Sequence, residues 1–89
     1  MYANEADLLN VALFGITAKE WRETNTDKNG NIRDYATLAQ LVVLSNMESI
    51  NALLIQQNLP QNKRLIQLNK VAIAQMKSLS ESNVMKKLK

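Results

Sequence analysis

Between Phe14 and Ala18 the chain must stop one helix and start the next within a few residues, and the residues for both tasks are in place. Gly15 can take the left-handed conformation that closes a helix, and Ile16 just beyond it can cover Val11 in a Schellman-type contact. Thr17 then caps the following helix, Glu20 three residues on completes a capping box, and Ile16 can pack on Trp21 as a hydrophobic staple. Rules this dense at one junction predict a tight corner between two helices, and every fold open to the chain has to contain it.

The remaining punctuation is sparse, with two Gly and one Pro in 89 residues and no stretch that alternates cleanly between apolar and polar. The expectation is an all-α fold: a single compact domain of about four helices, two short and two long, packed orthogonally or as a bundle. Asn4 caps a first helix whose opening turn holds Glu5 and Asp7, where carboxylates suit the positive end of the helix dipole. Leu8, Leu9, Ala12 and Leu13 share one face of it, and it ends at Gly15. A short helix over 18–25 follows, with Trp21 as its large apolar group. Asn25-Thr26-Asp27-Lys28-Asn29-Gly30-Asn31 is the main loop. Its spacing imitates a calcium loop when counted from Asn25, but the twelfth position is Ala36 instead of a bidentate Glu, so a plain turn is expected.

Thr37 with Gln40 forms a second capping box that opens a helix over 37–57. Ala39, Val42, Val43, Met47, Ile50, Leu53 and Leu54 share a broad face of this helix, with Leu44 and Ile55 on another. Asn58-Leu59-Pro60 stops it, because Pro60 cannot continue the hydrogen-bond ladder. A last helix runs from Gln61 or Asn62 to Leu79, striped by Leu65, Leu68, Ala72, Met76 and Leu79 and flanked by Ile66 and Ile73. Residues 1–79 are expected to form the domain and 80–89 a frayed basic tail.

Cysteine and histidine are both absent. Disulfides, thiol nucleophiles, imidazole acid–base chemistry and zinc sites built on those ligands therefore drop out. Glu5, Asp7, Glu20, Glu23, Asp34 and Glu48 sit near helix starts or on polar faces, where capping and solvation account for them without a catalytic pair. No phosphate-binding glycine loop exists, and Ser45 and Ser49 lack a base. The expectation is a non-enzyme with no catalytic residue, metal, cofactor or small-molecule substrate. Nothing reads as a signal peptide and no apolar run approaches the ~18 residues of a membrane span. A cytoplasmic chain without a membrane partner is therefore expected.

Charge is segregated. Residues 1–62 carry four basic and seven acidic groups, net −3, whereas residues 63–89 carry seven basic and one acidic, net +6. The basic end can meet phosphates or lie against acidic surface of its own fold or of a second copy. Lys63, Lys70 and Lys77 recur every seven residues in a nearly straight row, which a solvated helix face explains as well as a phosphate track does. A helix-turn-helix reading of the Gly15 corner would point Thr17, Lys19 and Arg22 at DNA, but Glu20 and Glu23 on the same short helix oppose it. Apolar residues on the two long helices exceed what a small domain readily encloses. Val43, Met47, Ile50, Leu54, Leu65, Leu68 and Met76 are accordingly the expected protein interface, for a homodimer or another protein partner. Asn46 falls inside the apolar face, where an amide needs a hydrogen-bond partner. It serves either as a polar lock on register, as a buried Asn does in coiled coils, or as a satisfied core amide; Asn69 poses the same alternatives.

The string from Tyr2 to Gly15, then Thr17-Ala18-Lys19-Glu20-Trp21-Arg22, then Gly30-Asn31-Ile32-Arg33-Asp34-Tyr35-Ala36-Thr37, resembles the C-terminal region of bacterial and prophage KilA-N proteins. The likeness extends to about Leu79, and Trp21-Arg22 followed by the Gly30–Thr37 block is its most specific part. Thr26 departs from it, standing where the family has proline, which loosens the loop. DNA binding in KilA-N proteins resides in an N-terminal domain with no counterpart in this sequence. The resemblance thus implies a helical accessory region of a phage-type DNA-binding protein, used for self-association or partner recruitment, with nucleic acid contacted mainly through that other domain.

Overall fold

Helix starts follow the polar residues placed to cap them. In a computed structural model that describes residues 4–80, α1 spans Glu5–Phe14, α2 Ala18–Thr24, a 3₁₀ turn Ile32–Tyr35, α3 Leu38–Gln56 and α4 Gln61–Ser80. The domain is all-α, with four helices and no strand among the described residues. Asn4 accepts from the Asp7 amide at 2.8 Å. Thr17 and Glu20, and again Thr37 and Gln40, form the two expected capping boxes with both reciprocal bonds made. A third box was not foreseen: Asn31 and Asp34 cap the 3₁₀ turn the same way. It needs Gly30 with φ of +91°, because a Cβ there would run into the Asp34 carboxylate. Between them the caps occupy amides that a helix start otherwise leaves to solvent.

Helix ends follow a similar logic, with one change. Gly15 is left-handed, φ +84°, and its amide donates to Val11 O at 3.0 Å, the single-bond αL stop in place of the Schellman pairing expected there. The Schellman pairing appears instead at the end of α3. Asn58 takes φ of 60°, its amide donates to Ile55 O, and the Leu59 amide donates to Leu54 O. Leu59 then folds back on the core. Ser80, expected to open the frayed tail, still belongs to α4; the tail beyond it lies outside the described residues.

Helix α4 packs along both α1 and α3, and α1 and α3 touch each other less. Leu8, Leu9 and Ala12 from α1, Val43, Leu44, Met47 and Leu54 from α3, and Leu68 and Ala72 from α4 form the core. A separate, smaller cluster forms where α2 meets the 3₁₀ turn. Trp21 and Ile32 are buried there, and Trp21 stacks obliquely on Tyr35 with centroids 5.2 Å apart. Tyr35 also donates its hydroxyl to Asn29 O at 2.7 Å and carries Lys28 Nζ 5.1 Å above its ring, so the main loop is tied down. Asn25, the first residue of the calcium-like count, spends its amide on Trp21 O at the end of α2.

One polar cluster joins all three core helices. Arg64 of α4 donates to both oxygens of Glu5 at 3.1 and 2.9 Å and to Leu59 O at 2.8 Å, and Asn51 of α3 donates to Glu5 Oε1 at 2.8 Å. The guanidinium is nearly enclosed while the Glu5 carboxylate keeps a water-facing side. Drawing Asn51 inward turns α3 about its axis relative to the face that apolar spacing favours. Leu44 goes into the core, and Val42 and Leu53 swing out to 36% and 54% exposure. The cluster is not fully satisfied, since Asn51 Oδ1 and Arg64 Nε are buried without a hydrogen-bond partner. Those unpaired atoms reduce what the cluster adds to stability, while its bonds still join α1, α3 and α4 at one point.

Glu5→Ala leaves the Arg64 guanidinium buried with Leu59 O as its remaining acceptor. The expected loss is about 2 kcal/mol, the cost of an unpaired buried charge reduced for the solvent that Glu5 already meets. Urea unfolding should show a lower midpoint with an unchanged slope.

Candidate functional site

Of the seven residues expected to form a protein interface, four lie inside the subunit and three are partly buried at the margin of its core. Val43, Met47 and Leu68 have no exposed surface, Leu54 is buried, and Ile50, Leu65 and Met76 pack against the same core. Packing of α3 and α4 with α1 laid against them covers Val43, Met47, Leu54 and Leu68, which hold the fold together, and leaves Ile50, Leu65 and Met76 partly exposed. Asn46 is corrected as well. It is exposed at the α3–α4 edge, where its amide donates to Gln75 Oε1 at 3.0 Å, so it is not a buried lock. Asn51, one turn further on, holds the buried position instead. Asn69 is exposed and donates to Ala12 O at 2.9 Å, satisfying a carbonyl in the last turn of α1.

The exposed apolar surface is elsewhere. The Cα extents are 39 × 34 × 15 Å, a slab too thin to shelter both sides of its long helices. On α3, Leu38, Leu41, Val42, Leu53 and Ile55 are between 36% and 54% exposed. Leu38, Val42, Ser45, Ser49 and Leu53 fall within an arc of ~80° opposite the core side, forming an outer stripe that is apolar at both ends and small in the middle. Helix α3 also meets, by length and composition, the threshold for a membrane span that no stretch of the sequence was expected to reach. Its mean hydropathy is 1.5, and only about 28% of that apolar stretch is buried. Ser45, Asn46, Glu48, Ser49 and Asn51 interrupt its middle, and Asn51 is bonded to α1.

The basic residues divide between two places. Lys63, Lys70 and Lys77 are exposed along the outer face of α4, as the seven-residue spacing predicts. Lys19 and Arg22 are exposed on α2, which packs on the 3₁₀ turn and not along α4, so the two sets are not brought together by direct packing. The N-terminus of α2, where a recognition helix would meet DNA, is filled by its own carboxylate. The Thr17 amide, donating to Glu20 Oε1 at 2.9 Å, and then the Thr17 hydroxyl hold the Glu20 carboxyl below its ordinary range.

An open cleft of about 310 Å³ lies between α1, α3 and Arg33 of the 3₁₀ turn, with Glu5, Leu9, Glu48 and Asn51 among its walls. Arg33 donates to Asn10 Oδ1 at 3.3 Å and stands 4.0 Å from Glu48, linking the turn to α1 and α3. Both oxygens of Glu5 are engaged by Arg64, so these charges link α1, α3, α4 and the 3₁₀ turn. Among the described residues no group of three or more acidic side chains is close enough to hold a metal ion.

Because the folded pKa of Glu20 lies below its unfolded value, its stabilising effect is present above the unfolded pKa and is lost as pH falls through the folded one. Trp21 fluorescence followed into acid should report loosening of α2 in the wild type. In Glu20→Gln that step should be absent, because the amide oxygen can still accept from Thr17 as Gln40 does from Thr37 but does not titrate. Comparison of the chain with protein-family models, curated proteins and solved structures finds no match.

Proposed function

We propose that this chain is a non-enzymatic helical association domain that pairs with a second copy of itself, or with another protein, through the outer stripe of α3. The observation that carries the reading is the exposure of Leu38, Val42 and Leu53 on a helix whose opposite side is fully used by the core. Each half-exposed leucine forfeits about 1 kcal/mol of burial that an apposed surface would recover. Ser45 and Ser49 between them let a second backbone come close. In this reading the domain acts in the cytoplasm as the accessory region of a phage-type DNA-binding protein, in keeping with the KilA-N resemblance. Nucleic acid contact through Lys19, Arg22 and the α4 lysines is the second reading. It draws support from the exposed row on α4 and is weakened by the carboxylate seated at the start of α2.

Sedimentation velocity over a wide concentration range tests the first reading. The wild type should show a reversible monomer–dimer shift, and Val42→Glu with Leu53→Glu should stay monomeric with an unchanged helical spectrum. A wild type that remains strictly monomeric at the highest attainable concentration overturns self-association. Duplex DNA titrated at two salt concentrations tests the second, because phosphate contacts give a steep salt dependence.

A further inference from the structure

On the solvent side of α4, Lys63, Ile66, Lys70, Ile73 and Lys77 follow one another at spacings of three, four, three and four residues. All five are exposed, and the two isoleucines, at 56% and 63%, are the most exposed large apolar residues among those described. At 100° per residue the five fall within an arc of ~80° and extend for about 21 Å along the helix. That is the seam of a coiled-coil strand, with lysine at one core position of each heptad and isoleucine at the other. It lies on a different helix from the outer stripe of α3, and α4 itself contains no acidic residue to neutralise it.

From this we infer that the outer face of α4 is a docking site for an acidic amphipathic helix of another protein, whose leucine-type residues meet Ile66 and Ile73 and whose carboxylates meet Lys63, Lys70 and Lys77. The three–four spacing selects a helix as the occupant, because a repeat of 3.5 residues stays in register with a second helix over its whole length. Charge selects its composition. A second copy of this chain would bring six lysines onto one seam, where like charges repel. A phosphate backbone would neutralise the lysines and leave two isoleucines in water, so duplex DNA matches half of the pattern and an acidic helix matches all of it. Lysine stems can lie along the isoleucine surface while their ammonium groups reach outward to the carboxylates.

The test uses a labelled 21-residue peptide with leucine and glutamate alternating at its a and d positions. A permuted peptide of identical composition and a 20-base-pair duplex serve as comparisons. Binding is read by fluorescence anisotropy on the full chain carrying Val42→Glu and Leu53→Glu, so that α3 pairing neither helps nor hinders the result. The heptad peptide should bind at least tenfold more tightly than the permuted one. Lys70→Glu and Ile73→Asn, both at exposed positions and checked for an unchanged helical spectrum, should each weaken it tenfold or more, while the duplex should compete poorly. Equal binding of the two peptides, or binding that survives Ile73→Asn and is fully displaced by the duplex, overturns the inference in favour of general polyanion attraction. Absence of peptide binding overturns it outright and leaves self-association through α3 untouched.

Discussion

Arg64 reaching across to Glu5, with Asn51 drawn in beside it, is the contact from which the rest of the arrangement follows. It ties the start of α1, the C-terminal half of α3 and the first turn of α4 into one cluster and also holds the turn between α3 and α4 through Leu59 O. Hydrophobic burial alone would accept several rotations of α3, because apolar residues cover most sides of it. A polar group that must enter at one point removes that freedom. Once Asn51 faces inward, Val43, Met47 and Leu54 enter the core with it, and Leu38, Val42 and Leu53 are left facing water. The exposed stripe is therefore a consequence of how the core is keyed, not an excess of apolar residues as such.

Local structure was legible in the sequence because its causes are local. Thr17 with Glu20, Thr37 with Gln40, Asn4, and Gly15 each act within four residues, and the structure places each of them in that role. The stripe of Leu65, Leu68, Ala72, Met76 and Leu79 on α4 faces the core as its spacing implies, but Ile66 and Ile73, expected to flank it, stay on the solvent side at 56% and 63% exposure. Rotation of α3 was not legible. It depends on Glu5 and Arg64, 59 positions apart, and no periodicity within α3 encodes that pairing. One signal was available: Arg64, Leu68 and Ala72 recur at four-residue intervals on one face, which places an arginine in line with two core residues. Spacing within α3 singles out Asn46, which falls inside the expected apolar face, over Asn51 at its edge, and the partners that reverse this order are on other helices.

The surface divides along the same line as the charge. The N-terminal half spends its carboxylates on caps and on the Arg64 cluster, as Glu5, Glu20 and Asp34 show. On α4 the lysines outside the core have no acid on their own helix to answer them. Two faces with different chemistry result, one apolar with small residues at its centre on α3 and one of alternating lysine and isoleucine on α4. Both have the length and periodicity of helix-binding surfaces.

Thermal unfolding measured as a function of protein concentration bears most directly on whether the α3 stripe is a contact surface in solution. If folding is linked to pairing through that stripe, the transition temperature rises with concentration by mass action, and the rise disappears in the double variant Val42→Glu, Leu53→Glu. A transition temperature that stays constant across the whole range in the wild type would mean the folded subunit is sufficient by itself, and the association role would be contradicted.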